Sequence, residues 1–180
     1  MTYVFLAGIG NSETDHWQSI WYRALGGHWV DHANWSCPRA ADWVADLDRV
    51  LQTTPGAKIL VAHSLGCLLA VEWARQHRDP SVIGSFLVAP PDARGACFPT
   101  SAVGFAPASD AAPPPLPALV VASTTDPYAG IASARAAATC WGADFADVGA
   151  LGHINLASNI GGWQSGRALL DTFVARLARP

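Results

Sequence analysis

The stretch Ala62-His63-Ser64-Leu65-Gly66 constrains this chain most, because it lies between the apolar run Lys58-Ile59-Leu60-Val61 and the helix-like run Cys67-Leu68-Leu69-Ala70-Val71-Glu72-Trp73. A strand that turns sharply through a serine into a helix is the layout of a nucleophile elbow. A serine hydroxyl is a weak nucleophile at neutral pH, so the turn has to hold it beside a base and near N–H donors for a developing oxyanion. Backbone crowds backbone in such a turn, so the residues two positions either side of the serine must be small. Ala62 and Gly66 meet that demand. A serine opening a helix can also be an ordinary N-cap.

Around this element, short runs rich in valine, leucine and isoleucine alternate with longer amphipathic segments. That is the pattern of parallel strands joined by crossover helices. The patterning predicts strands over 3–6, 28–31, 58–62, 82–89, 118–122 and 144–148, and helices over 15–25, 40–51, 65–77, 129–141 and 163–177. The first, third and fifth strands are almost continuously apolar, as strands covered on both faces are. The expected fold is α/β, with a mostly parallel sheet of about five to six strands.

With 51% hydrophobic and 14% charged residues over 180 positions, the chain suits a single compact domain, 1–180, and not a disordered segment. A net charge of -3 without a lysine and arginine cluster gives no footprint for nucleic acid or an anionic membrane, so a neutral or small substrate is expected. The first residues, Met1-Thr2-Tyr3-Val4-Phe5-Leu6, show neither a basic leader nor a membrane-length apolar run, and a cytoplasmic location is expected. Cys37, Cys67, Cys97 and Cys140 are scattered without metal-ligand spacing. They read as free, buried thiols in a reducing compartment.

The base and its orienting acid are expected after the serine, in loops that follow later strands. Asp126 follows the strand predicted over 118–122, and His153 follows the one over 144–148, so both fall on the same sheet edge as Ser64. An aspartate before Pro127 can instead start a helix. His63 adjoins the serine, but alternate strand side chains point to opposite faces, so it reads as a packed, hydrogen-bonded residue. His28, His32 and His77 read as surface or packing residues. The oxyanion donors are expected to be the amides of Leu65 and of Ile9, with Gly10 the alternative to Ile9 in the loop Ala7-Gly8-Ile9-Gly10-Asn11-Ser12. The segment 90–117, which ends near Pro113-Pro114-Pro115, reads as a long excursion over the strand ends, either walling the site or merely connecting strands.

Four stretches, Asp15-His16-Trp17-Gln18, Ala62-His63-Ser64-Leu65-Gly66-Cys67, Asp126-Pro127-Tyr128 and Gly152-His153-Ile154-Asn155, give the chain a resemblance to a known family. It resembles the small alpha/beta hydrolases of the retinoblastoma-binding-protein-nine type, which are serine hydrolases. The resemblance implies a three-layer α/β/α sandwich without a lid domain, with Ser64, Asp126 and His153 as catalytic triad. It also places His16 and Trp17 near the substrate, although packing of the first helix on the sheet by Trp17 is the favoured reading; Gly10, in the loop after the first strand, is a further substrate-binding candidate. The L-x-C-x-E peptide that binds a retinoblastoma-type protein is absent, since Leu65-Gly66-Cys67 continues into Leu68-Leu69.

The chemistry expected is hydrolysis of a small carboxylic ester or related acyl compound through an acyl-enzyme, with no metal or organic cofactor required. The same site could serve a thioester or an amide. A different class of function, protein binding on a retained hydrolase fold, would use an exposed cluster among Trp17, Trp21, Trp29, Trp35 and Trp43.

Overall fold

The computed structural model describes residues 1–105 and 116–178. Strands β1 (Thr2–Leu6), β2 (His28–Trp29), β3 (Lys58–His63), β4 (Val82–Val88), β5 (Ala118–Ala122) and β6 (Asp144–Asp147) form a parallel sheet. Their spatial order is β2-β1-β3-β4-β5-β6. From β1 the chain first runs to one edge through β2, then returns to build the other half from β3 onward. The carboxyl ends of β1 and β3 therefore flank a topological switch point, where a crevice opens because consecutive connections diverge.

Helices α1 (Trp17–Leu25), α2 (Ala40–Thr53), α3 (Leu65–Gln76), α4 (Ile131–Cys140) and α5 (Gln164–Leu177) cover both faces. The strand pleat divides the core between two clusters. Val4, Leu6, Leu60, Ala62, Leu87 and Val120 point toward α2, α3 and α4. Phe5, Ile59, Val61, Phe86, Val88 and Val121 point toward α1 and α5. Double coverage explains why β3 and β5 are buried at every residue. The chain is thus an α/β sandwich of three layers, as expected, and among the described residues no helical insertion stands between β4 and β5.

Several boundaries differ from those read in the sequence. The strand predicted over 28–31 keeps only two residues, although Val30 N–H still donates to Phe5 O at 3.0 Å before the chain leaves the sheet. α1 begins at Trp17 and not at 15, because His16 is extended and caps it, its Nδ1 accepting the Gln18 N–H at 3.2 Å. α4 begins at Ile131 after Gly130, and α5 at Gln164 after Trp163, which adopts a left-handed conformation. Burial of the cysteines was over-generalised: Cys67 is buried, whereas Cys37, Cys97 and Cys140 are free but exposed. Of the five tryptophans in the first quarter of the chain, Trp17, Trp21 and Trp43 are core and Trp29 and Trp35 are half-buried, so these five make no exposed cluster. Among the described residues no helix is long and apolar enough to cross a membrane.

Candidate active site

Strand β3 delivers Ser64 to the switch point, and α3 starts one residue later. Ser64 has φ 54° and ψ -125°, a conformation that costs a non-glycine residue on the order of 1–3 kcal/mol. The surroundings impose it. A Cβ on Gly66 would lie 2.3 Å from Leu6 O, so only glycine lets α3 start hard against the end of β1. A Cβ on Gly8 would lie 2.8 Å from Ser64 Cβ, so the loop after β1 also needs its glycine for close approach. Although Ser64 occupies the N-cap position, its side chain makes no capping bond. Its hydroxyl goes elsewhere.

Ser64 Oγ lies 2.9 Å from His153 Nε2, and His153 Nδ1 lies 2.9 and 3.0 Å from the two Asp126 carboxylate oxygens. A carboxylate only accepts, so Nδ1 carries the hydrogen and Nε2 is left to accept from the serine hydroxyl. The capping alternative for Asp126 fails, because α4 starts at Ile131 with Gly130 as its cap. Asp126 Oδ1 instead also accepts the Tyr128 N–H at 2.9 Å, which pins the loop carrying the carboxylate.

Ile9, Ser64, Leu65, His63 and His153 share a cavity of about 230 Å³. Leu65 is the first residue of α3, where a helix leaves its N–H groups without intrahelical acceptors. Among the described residues the Ile9 N–H has no acceptor either. The Gly10 N–H does: it donates to Trp35 O at 3.1 Å. That bond removes Gly10 as the alternative donor, and Gly10 does not line the cavity. Trp17 is also absent from its wall. It is buried, and its Nε1–H donates to Ile154 O at 2.7 Å, which is the packing role. His16 does line the cavity. Pro91 and Pro99 line it too, so the described beginning of the segment 90–117 walls the site, while Pro113-Pro114-Pro115 lie outside the described residues.

The two histidines nearest His153 are neutral at neutral pH. Burial lowers His63 well below the usual imidazole value, and the nearby His153 and His16 add to this. Burial likewise brings His16 from 6.5 down to about 4, against the pull of Glu13. The rings stand in a row, with centroids 4.8 Å apart for His16 and His63 and 5.0 Å for His63 and His153. His63 Nε2–H donates to the His153 carbonyl at 3.0 Å, so the histidine read as a packed residue holds the backbone of His153. The Nδ1 of His16 is taken by the Gln18 N–H, and among the described residues its buried Nε2 has no partner. Of the other histidines, His28 is exposed, His32 is buried against Asp46 and Trp43, and His77 stacks on Trp73.

Three contributors were not read from the sequence. Gln18 is fully buried, and its Nε2 donates to both Leu6 O and Val61 O at 2.9 Å, tying the ends of β1 and β3 beneath the serine. The Tyr128 ring lies 4.5 Å from His153 and lines the cavity. Burial raises the Cys67 thiol well above its usual value, and Sγ–H donates to Val88 O, so the cysteine beside the site is held as a neutral donor. Gln18, Cys67 and Tyr128 all lie within the resemblance stretches, yet only the fold shows what they touch.

The family model for serine hydrolases matches residues 3–172. The chain belongs to the serine hydrolase family. Among solved structures, a YdeN-like hydrolase from Pectobacterium atrosepticum shares 30% identity with this serine hydrolase at a TM-score of 0.85, over 98% of this chain and 91% of its own. The ydeN gene product of B. subtilis shares 20% at 0.73, over 97% of this chain and 100% of its own. Esterase 2 of Thermogutta terrifontis shares 17% at 0.71, over 99% and 85%. The last two likenesses show the fold. No curated protein matches this serine hydrolase significantly.

Proposed function

We propose that the protein hydrolyses small carboxylic esters through an acyl-enzyme on Ser64, with His153 as general base and acid and Asp126 as its orienting carboxylate. The observation that carries this reading is the unbroken row from Ser64 Oγ through both nitrogens of His153 to Asp126, with a serine held at positive φ. In the first half-reaction Ser64 Oγ bonds to the carbonyl carbon as its proton passes to His153 Nε2. The amides of Leu65 and Ile9 receive the oxyanion, aided by the positive end of α3. The tetrahedral adduct then expels the alkoxide, which takes the proton from His153. Water repeats the sequence on the acyl-enzyme, releasing the acid and restoring Ser64.

A cavity of about 230 Å³, walled by Ile9, Pro91, Pro99 and Tyr128, supports a compact acyl group. A fluorophosphonate probe is expected to label the wild type and not Ser64→Ala. Among p-nitrophenyl esters of graded acyl length, turnover is expected to be highest for the short chains. Equal labelling of both proteins would overturn the assignment of the nucleophile.

A further inference from the structure

A second cavity of about 290 Å³ adjoins the one that holds Ser64, and the same two chain segments flank both. Where the chain enters α1, His16 lines the Ser64 cavity, while its chain neighbours Asp15 and Trp17 line the second. From the segment after β6, His153 lines the first, Leu156 and Ile160 line the second, and Asn155 lines both. The two cavities therefore share Asn155 as a common lining residue.

We propose that the second cavity is the leaving-group subsite of the reaction above, and that it selects neutral alcohols bearing an apolar or aromatic extension. The proposal rests on that reaction. His153 returns its proton to the leaving oxygen, so the departing group has to lie on the His153 side of the carbonyl. Five of the residues lining the second cavity, Asn155, Leu156, Asn159, Ile160 and Gly161, follow His153 in the chain.

Its wall sets the apolar side chains of Trp17, Leu156 and Ile160 beside a polar edge of Asp15, Asn155 and Asn159. Leu156 is 42% exposed, one of few large apolar side chains left open in the described residues, and Ile160 lies beside it. Asp15 is exposed at this cavity and Glu13 at the first, while no lysine or arginine among the described residues lines either. An anionic leaving group would meet two carboxylates and no cation. The wall is also preformed. Ser158 Oγ donates to Leu151 O at 2.6 Å and accepts the Asn155 N–H at 3.2 Å, and Trp17 holds Ile154 O from beneath. A surface ordered before binding loses little entropy when a ligand rests on it.

The test uses butyrate esters of alcohols with similar reactivity: ethanol, 2-phenylethanol and 2-(4-carboxyphenyl)ethanol. For the wild type, kcat/KM is expected to rise about tenfold from the ethyl to the phenylethyl ester, as partial burial of a ring implies. It is expected to fall severalfold again when the ring carries a carboxylate. In Leu156→Ser, the phenylethyl-to-ethyl ratio is expected to drop toward one, and as a ratio it is insensitive to how much enzyme is folded. Active enzyme with a flat response to the alcohol, or a ratio that Leu156→Ser leaves intact, overturns the subsite. Absence of turnover for every ester, with Ser64 unlabelled by fluorophosphonate, overturns the underlying reaction instead.

Discussion

On one face of the sheet, α2, α3 and α4 pack through mostly aliphatic side chains, and this face carries the serine: α3 is buried along almost its whole length and begins at the residue after Ser64. On the other face, α1 and α5 pack through aromatic residues. There Trp17, Trp21 and Trp163 contact one another, with Trp21 and Trp163 stacked at 5.8 Å. Two of these indoles also donate hydrogen bonds, Trp17 to Ile154 O and Trp21 to Gly162 O, both in the chain that follows His153. The serine is thus fixed chiefly by close backbone approach at Gly8 and Gly66, and the chain around the histidine by side chains distant in sequence, Trp17 and Trp21 of α1 and His63 of β3. Damage to the first half should show as lost stability, whereas damage to the second should always cost turnover, with stability lost as well only where a buried partner is removed.

The largest effect that would sharpen this contrast is at Asp126. Replacing it with Asn leaves the fold intact but reverses the hydrogen-bonding demand on His153 Nδ1, and kcat is expected to fall by roughly 10⁴ with an unchanged melting temperature. A parallel loss of melting temperature would break the separation between the two halves. Next is Gly66→Ala on the serine side, where the added methyl meets the Leu6 carbonyl. Urea unfolding should report a loss on the order of 3 kcal/mol or more. Stability equal to the wild type would show that the end of β1 yields where it is drawn as rigid.

Trp17→Phe keeps an aromatic ring but leaves Ile154 O without its donor. The expected cost is about 2 kcal/mol in stability and roughly tenfold in kcat, read by calorimetry and steady-state kinetics, with the kinetic loss not recovered at lower temperature. The smallest effect concerns acid. Folding holds His16 at about 4 against 6.5, so between those values the unfolded chain binds a proton that the folded chain excludes. Stability therefore falls as the pH drops through this window, by about 1 kcal/mol near pH 5.5. His16→Asn keeps an acceptor for the Gln18 N–H and cannot titrate, so its melting temperature should fall less steeply over the same range.

Much of this arrangement was legible in the sequence because it is local. Small residues around Ser64, an aspartate and a histidine after successive strands, and glycines in the loop after β1 are each marked within a few positions. What escaped is carried by side chains that bridge distant segments: Trp17 and Ile154 are 137 residues apart, and His63 and His153 are 90 apart. A tryptophan on an amphipathic helix signals burial, but not which carbonyl its N–H will meet. The Gly10 amide is similar, since its engagement by Trp35 depends on how two loops fold together. The overestimated second strand has another cause: the valine at position 30 reads as strand, but at a sheet edge one backbone bond can hold it without extending the ladder.

The closeness of Gly8 to Ser64 also limits which amino acids can occupy position 64. A serine, a cysteine and a threonine can all serve as acyl-transfer nucleophiles. Threonine would set a branched carbon at a positive φ, where β-branched residues are strained, with the loop after β1 already against the serine Cβ. Cysteine exchanges one atom and adds no branch. Shape thus narrows the nucleophiles open to mutation at this position to two before reactivity has chosen between them.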